Sequence, residues 1–497
     1  MLLIGYIAGC LYLLCMIAMS LYGLNALVTA TLFVLSKRSQ KKESPAPEPR
    51  KWPKVTIQLP LFNEKYMLER LLKAVTSLDY PADRLQIQVL DDSTDDTVLL
   101  SARLVEEYRA GGVNIECIFR TDRGGYKAGA LKKGLETASG EFVAIFDADF
   151  IPSPDWLRKT IPQFENPNLG CLQTRWGHTN REYNLLTRAQ ALAMDAHFVV
   201  EQTARSRNRL FMNFNGSAGI WRRSCIEEAG GWQTDTLTED FDLSFRAQLC
   251  GWSVGLLPDV VVPAELPASV EAFKKQQSRW AKGSIQVTRK IGKQILSQAD
   301  IPPYKRISGL LQLTAYSVYL FMIIMFFLTL PVGLLAPRFF TVFPISILAT
   351  FGPPMLYALA GARGTPSLAG RLKILPVLTI IGFGISLNSA IAIIEALIGK
   401  GGTFVRTPKL NLTNNPDATG QIDRSYLQPI SPIVWGEIGL SLYALLTIAL
   451  LLPRLGWFVV PWMGVYWLGY FYIAALNLYQ HWQAQYSHSS YAIKEGA

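Results

Sequence analysis

Histidine and cysteine are scarce in this chain, and each scarcity closes off a class of function. Its 497 residues include four histidines and six cysteines. Cys10, Cys15, Cys117, Cys171, Cys225 and Cys250 form no C-x-x-C and stand at no metal spacing from a histidine. They read as reduced thiols rather than a disulfide framework or a zinc site. The histidines are unpaired in sequence, which argues against a His-based metal centre. Charge is missing altogether from Leu2 to Leu35, and no basic residue precedes that run. It is too long for the core of a signal peptide and has the wrong flank for one.

Hydrophobic residues make up half the chain, and the mean hydropathy is positive at +0.19. That composition supplies both a large core and membrane spans. The net charge of +10 would suit nucleic acid, but the basic residues cluster beside the apolar stretches. Such placement follows the positive-inside rule and fits anionic lipid, so no nucleic-acid partner is expected. Lys37, Arg38, Lys41 and Lys42 directly follow the first apolar run. Residues 1–36 are therefore expected to be a transmembrane signal anchor with its N-terminus outside. A proline-rich linker over 37–53 then leads into the cytosol.

From Val55 the pattern becomes soluble. Apolar strands at 55–61, 85–90, 115–119 and 143–146 alternate with helical spacing over 67–78, 99–109 and 127–137. The alternation predicts a parallel α/β sheet with ligands at the carboxyl ends of its strands. Acids stand at two of those ends, Asp91-Asp92 and Asp147-Ala148-Asp149. On an extended chain residues two apart face the same side, so Asp147 and Asp149 can approach one cation together. The same residues also fit a strand running into an acidic turn.

The parts that a sugar-nucleotide donor would need can also be found in the sequence. A divalent cation can absorb the charge of a diphosphate leaving group. One base for the acceptor hydroxyl and cationic groups on the phosphates complete the requirement. Lys127, at a helix start after Gly124-Gly125, suits the phosphates. Asp240, in Thr238-Glu239-Asp240, suits the base, although these three residues also suit simple helix capping.

Residues 170–265 read as a mixed extension, and 54–268 as one domain. Residues 269–306 carry nine Lys or Arg against two acids over 271–306, interleaved with apolar residues. This pattern predicts amphipathic helices on the cytoplasmic membrane face. Further apolar stretches lie near 307–331, 341–360, 374–398, 433–452 and 456–478. Basic loops on both sides of 374–398 predict that this stretch lies in the interface or is re-entrant. The expectation is five crossings, with a transmembrane and interfacial region over 307–398, two membrane helices over 432–479 and a cytosolic tail over 480–497.

The ordered set Asp91-Asp92, Asp147-x-Asp149, Thr238-Glu239-Asp240 and Gln276-Gln277-Ser278-Arg279-Trp280 resembles the family 2 processive glycosyltransferases. These include cellulose synthases and the plant cellulose-synthase-like mannan and glucan synthases. The resemblance implies a GT-A-type (Rossmann-like) α/β cytosolic domain inserted between transmembrane helices of a multi-span protein of the inner, plasma or Golgi membrane. It implies nucleotide contacts from Asp91, Asp92, Lys127, Asp147 and Arg279, and Mg²⁺ or Mn²⁺ on Asp147 and Asp149. It further implies Asp240 as general base, with Glu239, Gln276 and Trp280 on the acceptor. Residues 399–431 resemble a gating loop, with Phe404, Thr407 and Lys409 at its matching positions, although Arg406 and Pro408 depart from the usual motif. The implied partners are UDP-glucose or GDP-mannose, a growing polysaccharide and membrane lipid. The implied activity is processive, inverting synthesis of a β-linked hexose polymer with passage through the membrane. A single transfer to a lipid acceptor (ceramide or a polyprenyl phosphate) shares parts of this motif set. A transporter or receptor with a nucleotide-sensing domain is the alternative from another class.

Overall fold

The computed structural model describes residues 2–38, 49–402, 406–407, 409–413 and 429–495. Most of the proline-rich linker and Phe404 fall outside these residues.

The chain opens with α1 (Leu2–Arg38) and then enters the α/β domain. Strands β1 (Val55–Leu61), β2 (Leu85–Asp91), β3 (Ile115–Phe119) and β4 (Phe142–Ile145) alternate with α2 (Lys65–Thr76), α3 (Thr97–Ala110) and α4 (Tyr126–Thr137). These four strands pair in parallel in the order β3-β2-β1-β4, as the alternation requires. The sheet then becomes mixed. After α5 (Trp156–Thr160), β5 (Leu169–His178), α6 (Leu185–Asp195) and α7 (Thr203–Arg207), the chain returns as β6 (Gly219–Arg222), antiparallel to both β4 and β5. Helices α8 (Arg223–Glu228) and α9 (Glu239–Leu249) follow, and β7 (Ser253–Ala264) closes the seven-stranded sheet alongside β5. Apolar residues of β1, β2 and β4 are buried against α2 on one face, with Ile57, Leu59, Val89 and Phe146 at its centre. Val143, Ile145 and Trp221 are buried on the other face against α4 and α9. Burial on both faces explains the near-continuous apolar runs of these strands.

Beyond the sheet run α10 (Val270–Ser297), α11 (Pro303–Leu313), α12 (Ser317–Leu335), α13 (Ser346–Leu359), α14 (Leu368–Gly384) and α15 (Ser386–Leu397). After residues 398–432, whose described part is called the post-membrane loop because it follows α12–α15, come α16 (Ile433–Leu455) and α17 (Val459–Glu495). Among the described residues three stretches are long and apolar enough to cross a membrane, Leu3–Lys37, Ser317–Leu335 and Ile433–Gln483. The last breaks at Gly456, and its two helices pack along one another around Leu440, Ala444, Met463 and Tyr466. Helices α14 and α15 meet at a bend of 44°. The apolar region near 341–360 instead holds the 14-residue α13, with Pro353 and Pro354 inside it. Acids within the protein pair with three cations of the basic stretch. Lys274 faces Glu437, Lys282 faces Glu395, and Lys290 faces Asp235 and Asp242.

Gly140 sets the approach of β4 to β1. A Cβ there would stand 2.4 Å from the Thr56 amide nitrogen and 2.6 Å from the Phe142 carbonyl oxygen. Backbone atoms cannot rotate away, so Gly140→Ala is expected to destabilise the domain by about 1–3 kcal/mol. A lowered thermal midpoint of the detergent-solubilised chain measures it, and an unchanged midpoint would contradict the tight approach.

Candidate active site

Strand β4 stops at Ile145, and the two acids stand in the turn beyond it. The Phe150 amide donates to the Asp147 carbonyl at 3.0 Å and closes that turn. The expectation that both acids share one face of an extended strand therefore does not hold, because the chain is already turning. The carboxylates serve different neighbours. Asp147 accepts from Lys127 Nζ at 2.5 Å and is about one-third exposed. Asp149 is buried, and its Oδ2 accepts from the Glu265 amide at 2.9 Å and from Lys409 Nζ at 2.7 Å.

Lys127 lies in the first turn of α4, where Gly125 takes a positive φ of 72°. Its ammonium also donates to the Gly216 carbonyl at 2.8 Å and stands 4.0 Å from Glu239. Burial by itself would lower this ammonium, but Asp147 and then Glu239 outweigh it and hold it above its ordinary value. Asp240 follows Glu239 in the first turn of α9. Burial, reinforced by Glu239 and opposed by Lys127, pushes its carboxyl up to about 7. The capping alternative is not what the helix shows. Thr238, at the N-cap, makes no side-chain cap bond, and Asp240 Oδ1 accepts only from the adjacent Phe241 amide, at 2.8 Å. Gly216 touches this pair closely. A Cβ there would meet Asp240 Oδ2 at 3.0 Å and Lys127 Nζ at 3.5 Å, and its φ is +85°. Arg279, on α10, feels the charges of Glu239, Asp147 and Asp240. Gln276 and Trp280 share its partly exposed segment. A cavity of ≈ 170 Å³ opens beside Lys127, walled by Tyr126, Thr234, Glu239, Gln286 and Gly402.

The acids after β2 have partners within the protein. Asp91 is buried, accepting from the Ser93 amide at 2.8 Å and from Ser101 Oγ at 2.5 Å. Asp92 is held by both ends of the Arg120 guanidinium. Both therefore stiffen the carboxyl end of β2 in this conformation.

The sequence reading passed over Glu265, although it follows β7 as the other acids follow their strands. Its carboxylate accepts from the amides of Leu410 and Leu412, both at 2.9 Å, and its carbonyl accepts from Lys409. The post-membrane loop is thereby fastened to the turn that carries Asp149. Arg406 lies 3.9 Å from Glu64. Burial pushes Glu64 up to about 8 despite Arg406. Thr407 is buried, with its hydroxyl unbonded.

The comparisons agree with this architecture. A family model described as "Glycosyltransferase like family 2" matches residues 53–283. Residues 53–283 are thus similar to a family 2 glycosyltransferase domain. Glucomannan 4-β-mannosyltransferase 2 of Arabidopsis thaliana is 44% identical over 261 residues, 52% of this chain and 49% of the relative. Glucomannan 4-β-mannosyltransferase 1 of Cyamopsis tetragonoloba is 43% identical over 282 residues, 56% of this chain and 53% of the relative. The chain thus spans about half the length of these curated relatives. A mannosyltransferase from Pyrobaculum calidifontis, solved with GDP-Man and Mn2+, superposes with a TM-score of 0.51 at 22% identity, over 78% of this chain and all of that one. At that identity the likeness speaks to the fold.

Among the described residues no group of three His, Cys, Asp or Glu side chains gathers to hold a metal by itself. The glycosyltransferase domain nevertheless has a donor set that fits Mg²⁺ or Mn²⁺. These ions take oxygen ligands and commonly use one or two carboxylates together with substrate phosphates. An ammonium sits on each of Asp147 and Asp149, which marks both as cation positions. A divalent cation on Asp149 would have to compete with Lys409. Lys409→Met is expected to tighten Mn²⁺ binding to the donor-free chain several-fold, read from the loss of free-Mn²⁺ paramagnetic resonance. Unchanged or weaker binding would show that Lys409 does not compete.

Proposed function

We propose that the chain is a membrane-embedded, inverting and processive glycosyltransferase. It builds a β-linked hexose polymer, a β-mannan or β-glucan, from GDP-mannose or UDP-glucose supplied on the cytosolic side. It then passes the polymer through its own membrane helices. The observation that carries this reading is the Asp240 carboxyl, held near neutrality beside a cationic and acidic cradle of Lys127, Asp147 and Arg279. The relatives' names support a hexosyl polymer as product. The membrane helices packed against the glycosyltransferase domain support its passage across the bilayer.

The chemistry follows from these groups. Asp147 and Asp149 would hold Mg²⁺ or Mn²⁺, which supplies Lewis-acid stabilisation of the departing diphosphate. Lys127 and Arg279 add positive charge beside the same phosphates. Asp240 takes the proton of the acceptor hydroxyl as its oxygen attacks the anomeric carbon and the bond to the diphosphate breaks. One base on one face, with no second carboxyl acting as nucleophile, gives inversion. Glu239, Gln276 and Trp280 would hold the acceptor sugar, the indole offering a flat apolar face to the ring. Thr407 and Lys409 would close over the donor, with Lys409 releasing Asp149 so that its carboxylate can serve as a ligand.

Incubating membranes separately with labelled GDP-mannose and UDP-glucose tests the reading. A sedimenting polymer cut by a linkage-specific β-mannanase or β-glucanase supports it. A product that partitions wholly into organic solvent would establish single transfer to a lipid instead.

Asp240 must be ionised to act as base. Below about pH 7 it is protonated, so kcat/KM is expected to rise about tenfold per pH unit and level off above pH 7. Asp240→Asn is expected to lower transfer by about 10²–10⁴-fold while nucleotide binding survives. Transfer at the wild-type rate in that variant would remove Asp240 from the base role.

A further inference from the structure

Helix α10 carries the segment Gln276–Trp280 on one side and a buried charge cluster on the other. Lys274 is 1% exposed, and its Nζ meets Glu437 of α16 at 2.8 Å, with Glu271 at 3.7 Å. Glu437 is fully buried. Asn477 of α17 donates to Glu271 at 2.6 Å, and Asn388 of α15 donates to the Lys274 carbonyl at 2.9 Å. Gln480 of α17 accepts from the Val270 amide at 2.8 Å and donates to the Ala268 carbonyl at 3.2 Å. Three helices beyond the glycosyltransferase domain thus grip the first two turns of α10 through polar groups.

Helical geometry places this grip behind the acceptor side. At about 100° per residue, Arg279, Gln276 and Trp280 lie about 140°, 200° and 240° round the helix from Lys274. Stability does not account for such a cluster. Both Glu437 oxygens, Glu271 Oε2 and Lys274 Nζ are buried without a hydrogen bond, so the contact is a bare ion pair. Replacing a buried pair of this kind with apolar side chains is often neutral or stabilising, whereas removing one partner is costly. What a charged contact adds over an apolar one is a defined rotation and register.

We propose that Lys274, Glu271 and Glu437 form a charge lock that fixes the rotation of α10 against the membrane bundle. They thereby act as positioning residues for Gln276, Arg279 and Trp280. The lock rests on the transferase reading above and deepens it, because it makes the membrane helices part of the acceptor geometry.

Lys274→Met/Glu437→Met, made in the full chain and assayed in detergent or native membranes, tests the lock. Its thermal midpoint is expected to equal or exceed the wild type. Donor KM and donor hydrolysis are expected to hold, while kcat for transfer to the acceptor falls about ten- to a hundredfold. Lys274→Arg, which keeps the charge, is expected to transfer within about twofold of wild type. Should the double variant not fold, Glu437→Gln serves, with the same loss in kcat and an unchanged donor KM. Wild-type transfer in the double variant, or in a folded Glu437→Gln chain, overturns the lock alone. A parallel loss of melting, donor hydrolysis and transfer that Lys274→Arg does not relieve also overturns it, leaving a structural pair. A wild type that forms no hexosyl product overturns the transferase reading and the lock's role with it.

Discussion

The site depends on one ammonium. Lys127 is buried, which disfavours its charge, and it stays charged because Asp147 and Glu239 surround it. Its bonds tie together four segments far apart in sequence: the start of α4, the turn after β4, the 213–219 turn through the Gly216 carbonyl, and the acidic first turn of α9. Gly216 shows how tightly they converge, since any side chain there would meet Asp240 Oδ2 at 3.0 Å. Because Lys127 offsets part of the negative charge of Glu239 and Asp147, Asp240 titrates near neutrality and not higher still. The Lys127 ammonium and the Asp240 carboxyl are therefore one electrostatic unit.

Local features of this fold were legible in the sequence. The four parallel strands and α2–α4 announce themselves because burial on both faces makes short, continuous apolar runs, and helices repeat every three to four residues. The antiparallel return of β6 was not legible, since a four-residue apolar segment carries no direction. The acid pair was found but its geometry was not. An i, i+2 argument needs extended backbone, and the chain turns at Asp147. Asp91 and Asp92 were also found. Their engagement by Ser101 and Arg120 depends on partners ten and 28 residues away that no spacing rule connects. Glu265 is the clearest omission. Its signal, an acid just after an apolar strand, was the one that drew attention to Asp91 and Asp149, but its partners are backbone amides from beyond the membrane helices.

The basic stretch before the membrane shows a similar limit. Charge and apolar period together predict a helix that lies on lipid, and they cannot register acids that arrive from Glu395 or Glu437, more than a hundred residues later. In the fold α10 is wedged between α9 and α15, with Phe211, Phe245 and Ile291 on one side and Ala281, Ile285 and Ile393 on the other. The helix is thus a mechanical link between the domain and the bundle.

The two paired acids differ in what can replace their partners. Lys127 belongs to a helix and is held by a carbonyl as well as by Asp147, so its removal would uncover three acids at once. Lys409 belongs to the post-membrane loop, and its place on Asp149 depends on Glu265 holding the Leu410 and Leu412 amides. On the proposed reading, freeing Asp149 of the loop ammonium would cost one ion pair, whereas freeing Asp147 of the helical one would also unbalance Glu239 and Asp240. Asp149 would on that reading exchange its ammonium for the cation, whereas Asp147 would meet the cation while still held by Lys127. Glu265 stands five residues before α10 begins, at the close of the strand that ends beside Asp149. On the proposed reading, release of Lys409 from Asp149 and the setting of α10 would take place on one short, continuous piece of chain.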